Sequence, residues 1–250
     1  MEKDMAIQFR VEDGVATIAL DRPRQRNAMN AEMLGKLQDA VTETRRNGAI
    51  RVLRIVAEGP SFCAGSDLTE LGGLSVDEMC EVEARKAALL RDIALCTKPV
   101  VAAVQGYAVG GGAFLAAVCD VVVVSDDAKL RCMEVPNGWI TPWGMHALTA
   151  RLSPRNAQRV SWGHEFLGAE EALRIGLADY LSPHAELDNR SAEIARNLAA
   201  LPMVSAGATK EFFLERTLGT GETEDTRLNN LFRLHCSQEA AQETFKKFAN

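Results

Sequence analysis

The segment Gly106-Tyr107-Ala108-Val109-Gly110-Gly111-Gly112 constrains the fold more than any other part of the chain. It follows the apolar β-type run Val100-Val101-Ala102-Ala103-Val104 and opens into Ala113-Phe114-Leu115-Ala116-Ala117-Val118. That order predicts a strand, a glycine-rich turn and a buried helix. Glycine lets a backbone approach a ligand closely, and the first N–H groups of a helix have no intrahelical partner. Such a turn either aims N–H donors at an anion or a developing oxyanion, or is a tight structural turn that needs small residues.

A second turn of the same kind lies upstream. Val52-Leu53-Arg54-Ile55-Val56-Ala57 reads as a strand broken by Glu58-Gly59-Pro60, and the small-residue loop Ser61-Phe62-Cys63-Ala64-Gly65-Ser66-Asp67-Leu68 follows. Two turns, each just after a predicted strand, suit the supply of one backbone N–H apiece to a single carbonyl oxygen. Donors so placed stabilise an enolate or a tetrahedral oxyanion.

The remaining sequence predicts an alternating α/β domain followed by helices. Residues Ile7 to Leu20, interrupted by Glu12-Asp13-Gly14, alternate as a hairpin does. Ala31 to Arg46 places Met33, Leu34, Leu37 and Val41 on one helical face, and Asn47-Gly48 stops it. Ser75 to Cys96 reads as a long helix with Asp77 and Glu78 in its first turn, and Val121 to Val124 as a buried strand. After about residue 143 the pattern is helical, over 143–152, 154–162, 169–175, 188–199, 204–217 and 222–249.

Composition excludes several classes. At 250 residues and 47% hydrophobic, one sizeable core is expected. A net charge of −6 argues against a generic nucleic-acid or anionic-membrane binder. The six cysteines (63, 80, 96, 119, 132 and 236) form no Cys-x-x-Cys pair, and no secretory leader is read ahead of them. They are expected to be reduced, in a cytoplasmic protein. No apolar run approaches a membrane span. Histidines 146, 164, 184 and 235 lack metal-site spacing, so no metal is expected.

Taken in order, these motifs resemble the crotonase (enoyl-CoA hydratase/isomerase) superfamily. The resemblance rests on Leu20-Asp21-Arg22-Pro23, Asn27-Ala28-Met29-Asn30, the Phe-Cys-Ala-Gly-Ser-Asp-Leu loop, the glycine turn with Cys119-Asp120, Gly168-Ala169-Glu170-Glu171-Ala172 and Gly176-Leu177-Ala178. It implies a spiral of ββα units over residues 1–190. A C-terminal helical region at 191–250 would pack on the core or a neighbouring subunit, in a homotrimer or hexamer. It also implies an acyl-CoA thioester substrate, with coenzyme A part of the substrate and no separate cofactor.

Carried over by position, the oxyanion donors are the backbone N–H groups of Ser66 and Gly111. Hydratases of the superfamily use two glutamates; the first position here is Phe114 and the second Glu134. Phe114 can neither orient water nor exchange a proton, which puts two-carboxylate hydration in doubt. A single carboxylate suits the Δ3 to Δ2 enoyl-CoA isomerases of the superfamily, with Glu134 as base and then acid. Asp67 and Glu70 are possible substitutes, more readily read as solvated loop or helix-start residues. In the resemblance Arg24 stands where the family commonly places a basic contact for the phosphates of coenzyme A, and Gln25 and Arg26 continue that loop; alternatively Arg22 and Arg24 are solvated turn charges. Backbone groups around Ala64, Asp67 and Leu68 would face the adenine and pantetheine, and Phe114 and Trp139 would be apolar walls of the substrate site that desolvate Glu134 and raise its pKa. Trp139 and Trp143 either narrow the acyl pocket or pack a core or interface. His146 is expected to make a structural hydrogen bond, and the Ser66 hydroxyl to do nothing. Other superfamily reactions remain open: modified hydration, decarboxylation, and thioester or C–C cleavage. So does a non-catalytic subunit that binds acyl-CoA or a partner.

Overall fold

The computed structural model describes residues 5–217 and 221–248. Its large sheet contains β1 (Ala6–Glu12), β2 (Val15–Asp21), β3 (Val52–Ala57), β4 (Val100–Val104), β6 (Val121–Ser125) and β9 (Tyr180–Ser182), in the order β1-β2-β3-β4-β6-β9. Only β1 and β2 pair antiparallel, as the predicted hairpin; the rest are parallel. A small second sheet joins β5 (Tyr107–Val109), β7 (Lys129–Arg131) and β8 (Leu167–Gly168). The chain leaves β4 for β5 and β6 for β7, so strands of the large sheet are followed by strands of the small one. That repeat is the expected mixed α/β spiral.

A parallel sheet covered on both faces needs strands apolar on both sides, and β4 is buried along its whole length. Alternate residues serve different cores. Val100, Ala102 and Val104 face the main core. Val101 and Ala103, with Val52 and Val123, pack against Leu187, Ile194, Ala195 and Ala199 of α8 (Leu187–Ala199). A division of the chain at 190/191 falls within that helix.

The helices follow their signals closely. In α1 (Ala31–Arg46), the Asn30 side chain caps the Met33 amide at 2.9 Å, and the predicted apolar face is buried. α3 (Val76–Ala94) starts on a reciprocal capping box between Ser75 and Glu78. α4 (Gly111–Ala117) springs from the glycine turn, and α2 (Leu68–Leu71) from the upstream loop. α5 (Met145–Arg151), α6 (Pro154–Trp162), α7 (Ala169–Ile175) and α9 (Met203–Thr217) lie where helical periodicity put them.

Two expectations change. The helix read over 222–249 is two, α10 (Gly221–Cys236) and α11 (Glu239–Phe248), and Ala249 lies outside the described residues. Phe232 of α10 meets Trp139 edge-on at 6.0 Å, while Phe245 of α11 stacks on the same ring at 5.0 Å. Bending the chain between the helices lets both approach one indole. The region after 143 also contains β8 and β9, two and three residues long, too short for a two-residue period to register.

The two small-residue turns meet in the interior. The Cys63 amide donates to Tyr107 O at 3.0 Å, and the Val109 amide donates to Cys63 O at 2.9 Å. A β-carbon on Gly112 would stand 2.1 Å from Cys63 O, so the helix start closes on the loop only because residue 112 has none. Behind the loop, buried Asn27 donates to the Glu58 and Ser61 carbonyls, each at 2.9 Å, and accepts from the Arg22 amide at 2.7 Å.

Gly112→Ala should therefore destabilise the protein by about 1–3 kcal/mol through overpacking, read as a lower urea midpoint. Gly35→Ala, in α1 with no atom within 4 Å of the new methyl, should be neutral or stabilising by up to about 1 kcal/mol. Equal midpoint changes for both would refute this account of the turn contact.

Candidate active site

Two amides at the junction of the turns have no backbone acceptor among the described residues. Flanking groups are engaged: Met29 N–H donates to Gly65 O (2.7 Å), Asp67 N–H to Met29 O (3.0 Å) and Gly110 N–H to Arg131 O (2.8 Å). The Ser66 and Gly111 N–H groups between them are not, and Gly111 is the first residue of α4, where an orphan donor is intrinsic. Gly65 brings them together. It adopts φ +91°, and a β-carbon there would lie 2.8 Å from Val109 O and 3.2 Å from Gly111 N. No other residue type combines that left-handed backbone with so close an approach.

Glu134 stands over this junction. Its position is set by a turn after β7, in which the Glu134 carbonyl accepts from the Asn137 and Trp139 amides at 3.2 and 3.1 Å. Its Oε1 lies 3.1 Å from where a β-carbon of Gly110 would be, and its buried Oε2 has no hydrogen-bond partner among the described residues. A helix-capping or arginine-paired role leaves no such orphan. Burial is the main cause that raises the Glu134 pKa to about 7; the Glu83 charge adds to it, while backbone amides and Lys86 oppose it.

These groups line a cavity of about 220 Å³ that also includes Ala64, Leu68, Trp139 and Trp143. Part of its wall comes from the C-terminal helices of the same chain, through Phe232, Phe245 and Phe248. Trp143 meets Phe114 edge-on at 5.8 Å. Trp139 and Trp143 each line the cavity and each belong to a packed apolar cluster.

Five sequence candidates fall outside the lining. Phe114 is fully buried behind Trp143, so its contribution is to the wall's backing. Asp67 pairs with Arg22 at 3.1 Å, which fixes the loop. Arg24 and Arg26 are exposed around the short 3-10 turn Pro23–Gln25. The Arg26 guanidinium lies 5.9 Å from the Tyr107 ring centre, and its carbonyl accepts from the Ala64 amide at 2.9 Å. Glu70 is engaged elsewhere, capping the Ala31 amide at 2.9 Å.

His146 makes no structural hydrogen bond, contrary to expectation. Both its ring nitrogens are buried without a partner among the described residues, and Asp225 Oδ1 is 4.0 Å away. It faces a separate, larger groove of about 860 Å³ beside α9. That groove contains neither Glu134 nor the paired turns. His235 accepts the Ile140 amide at 3.0 Å through Nδ1 and thereby holds the tryptophan segment.

Sequence reasoning missed Glu83 and Lys86. Both lie on α3 and are nearly fully buried, at 4% and 1% exposure. Lys86 Nζ donates to Glu83 Oε1 at 2.8 Å and to Ser66 Oγ at 2.6 Å, and Trp143 Nε1 donates to Glu83 Oε2. The Ser66 hydroxyl, expected to be idle, is part of this network. The available signal was two charges on the apolar stripe that runs through Met79, Ala87, Leu90 and Ala94.

The family model described as enoyl-CoA hydratase/isomerase matches residues 10–250. A crotonyl-CoA hydratase of Syntrophomonas wolfei is 36% identical over 179 residues, 70% of this chain and 68% of the relative. A 1,2-epoxyphenylacetyl-CoA isomerase of Escherichia coli is 32% identical over 219 residues, 86% of this chain and 84% of the relative. In fold, the crystal structure of an enoyl-CoA hydratase from Mycobacterium avium subsp. paratuberculosis superposes with a TM-score of 0.88, covering 98% of this chain and all of the other at 24% identity. The fold agrees with these comparisons, and the chain belongs to the enoyl-CoA hydratase/isomerase family, within the crotonase superfamily.

Proposed function

We propose that this protein isomerises 3-enoyl-CoA thioesters to 2-enoyl-CoA thioesters, with Glu134 as the single acid/base. The observation that carries the reading is one buried, unpartnered carboxylate oxygen beside two unengaged amides, with Phe114 at the other carboxylate position.

The Glu134 carboxylate removes a proton from C2, and the C–H electron pair moves into the carbonyl. The oxygen so charged accepts from the Ser66 and Gly111 N–H groups, which are fixed before the reaction and lose nothing to reorganisation. Glu134 then returns its proton to C4, leaving the double bond between C2 and C3. Proton, electrons and charge balance without a cofactor beyond the coenzyme A of the substrate. Apolar walls from Trp139, Phe232 and Phe245 limit water at the dienolate. A pKa of about 7 suits a group that must take and give one proton in neutral solution.

Hydration of a 2-enoyl thioester is the second reading, favoured by Glu83 as another carboxylate on the cavity wall. Lys86 and Trp143 already occupy that carboxylate, which makes it a poor orienter of water. Arg24 and Arg26 belong to the proposal as exposed cations for coenzyme A phosphates. Assembly as a homotrimer or hexamer belongs to it too, supported by the apolar surface of Val204, Phe213 and Leu234, each at least 60% exposed. The six buried, unpaired cysteines support a reducing compartment such as the cytoplasm.

Purified protein incubated with a trans-3-enoyl-CoA should form the conjugated 2-enoyl thioester, followed by its ultraviolet absorbance. Glu134→Gln should lower turnover by about 10²–10⁴-fold. Water addition to a 2-enoyl-CoA without isomerisation would favour the second reading, and full turnover in the variant would remove Glu134 from the chemistry.

Glu134 must be ionised to accept the first proton, so kcat/KM should rise with pH through about 7 and level above it. Stability should run the other way. A carboxyl whose pKa is higher folded than unfolded binds more protons in the native state. Its contribution is therefore fully favourable below the unfolded value of 4.5 and declines as pH rises to about 7, then levels off. At pH 8 the buried charge costs on the order of 3 kcal/mol. Glu134→Gln should accordingly be more stable than wild type at pH 8 and gain little at pH 4, measured by urea unfolding at both. A destabilised variant at pH 8 would contradict the buried-charge account.

A further inference from the structure

We propose that the buried Glu83–Lys86 pair of α3 is the positioning unit of this site: Lys86 holds the oxyanion loop through the Ser66 hydroxyl, and the two opposed charges set the electrostatic environment of Glu134. The inference rests on the proposed role of Glu134 as acid/base and of the Ser66 amide as an oxyanion donor.

Placing a lysine and a glutamate inside an apolar face is unfavourable unless each is paired and hydrogen-bonded. Here the cost is offset. Glu83 Oε1 accepts from Lys86 at 2.8 Å and weakly from the Ser66 hydroxyl at 3.4 Å, while Oε2 accepts from the Trp143 indole. Lys86 gives a second hydrogen bond, 2.6 Å long, to Ser66 Oγ. One polar cluster thus ties α3 to the loop that presents the Ser66 amide and to the segment that carries Trp143. An apolar pair at 83 and 86 would pack the helix at least as well and would hold neither.

The cluster also lies against the proton-transfer group. Glu83, Ser66, Trp143 and Glu134 line the same cavity. From α3 the charges that act on Glu134 are Glu83, which favours its protonated form, and Lys86, which favours the ionised one. On its own segment Cys132 is buried and its pKa is raised, so it carries no charge near neutrality. From α10 and α11 the cavity receives Phe232, Phe245 and Phe248, and His235 is occupied by the Ile140 amide. α4 brings Gly111, and the upstream loop Ala64, Gly65 and Ser66, none of them charged. Glu83 and Lys86 therefore act on Glu134 with opposite signs and without a competing charge from these elements.

The test is an infrared titration of the full-length protein, following the carboxyl C=O band that Glu134→Gln removes. It needs no turnover, so it is independent of the isomerase reading. Glu83→Gln should lower the midpoint of that band by about half a unit or more, and Lys86→Met should raise it by a similar amount. The Glu83→Gln/Lys86→Met double variant should return near the wild-type value. A purely structural pair predicts no shift, or shifts of one sign from general loosening, and either result would overturn the proposal.

A single variant leaves one buried charge unpaired and can fail to fold. The double variant carries no such charge and supplies the second measurement. Exchange of the C2 protons of a saturated acyl-CoA in D2O should be at least tenfold slower in kcat, with KM within about twofold, because loop position matters when charge develops on the oxygen. Unchanged kcat in the folded double variant would sink the positioning role. If wild type exchanges no C2 protons while the infrared shifts are opposed, the enolate chemistry falls and the charge pairing stands.

Discussion

The contact between the two small-residue turns is the constraint from which the rest of the site follows. A loop after β3 and a turn after β5 must approach until Cys63 bridges the backbone on both sides of Ala108. Gly112 has no room for a side chain, and Gly65 needs both a left-handed backbone and a contact near Gly111 N. The parallel sheet delivers the two loops side by side because β3 and β4 are neighbours. Once the loops meet, two amides are left without acceptors at one spot. A fixed pair of dipoles in an apolar cavity stabilises charge far better than mobile donors in water.

Around that spot the structure retains features that oppose stability. Glu134 loses solvent and keeps an unpartnered oxygen, and α3 buries two charges where apolar residues would pack. Glu83 and Lys86 answer each other, whereas Glu134 Oε2 has no hydrogen-bond partner among the described residues. A lone buried carboxylate can hold and release a proton near neutrality. The C-terminal helices complete the enclosure, since α10 and α11 supply the aromatic wall from the same chain. Asp225 of α10 anchors them, accepting from Arg91 of α3 at 2.6 Å and from the Gly144 amide at 3.0 Å.

Much of this was legible in sequence because it depends on local backbone demands. Glycines at 65, 110, 111 and 112, each just beyond an apolar β run, report turns whatever lies around them. The capped helices α1 and α3 and the fully buried β4 announce themselves through periodicity and caps. Strands of two or three residues do not, because their existence depends on a partner strand. Nor does the break between α10 and α11, which serves two phenylalanines converging on Trp139. Glu83 and Lys86 were hidden for another reason. Their meaning depends on Ser66 and Trp143, distant in sequence, and an isolated Glu and Lys three apart on a helix look like a solvent-facing pair.

The central claim is that one thioester carbonyl meets both amides while Glu134 faces the carbon beside it. A crystal structure with a bound, non-reacting acyl-CoA analogue tests this most directly. The account predicts the thioester oxygen within hydrogen-bonding distance of both Ser66 N and Gly111 N, with the Glu134 carboxyl next to C2 of the acyl group. A thioester bound in the larger groove beside α9, or one whose oxygen meets neither amide, would contradict it.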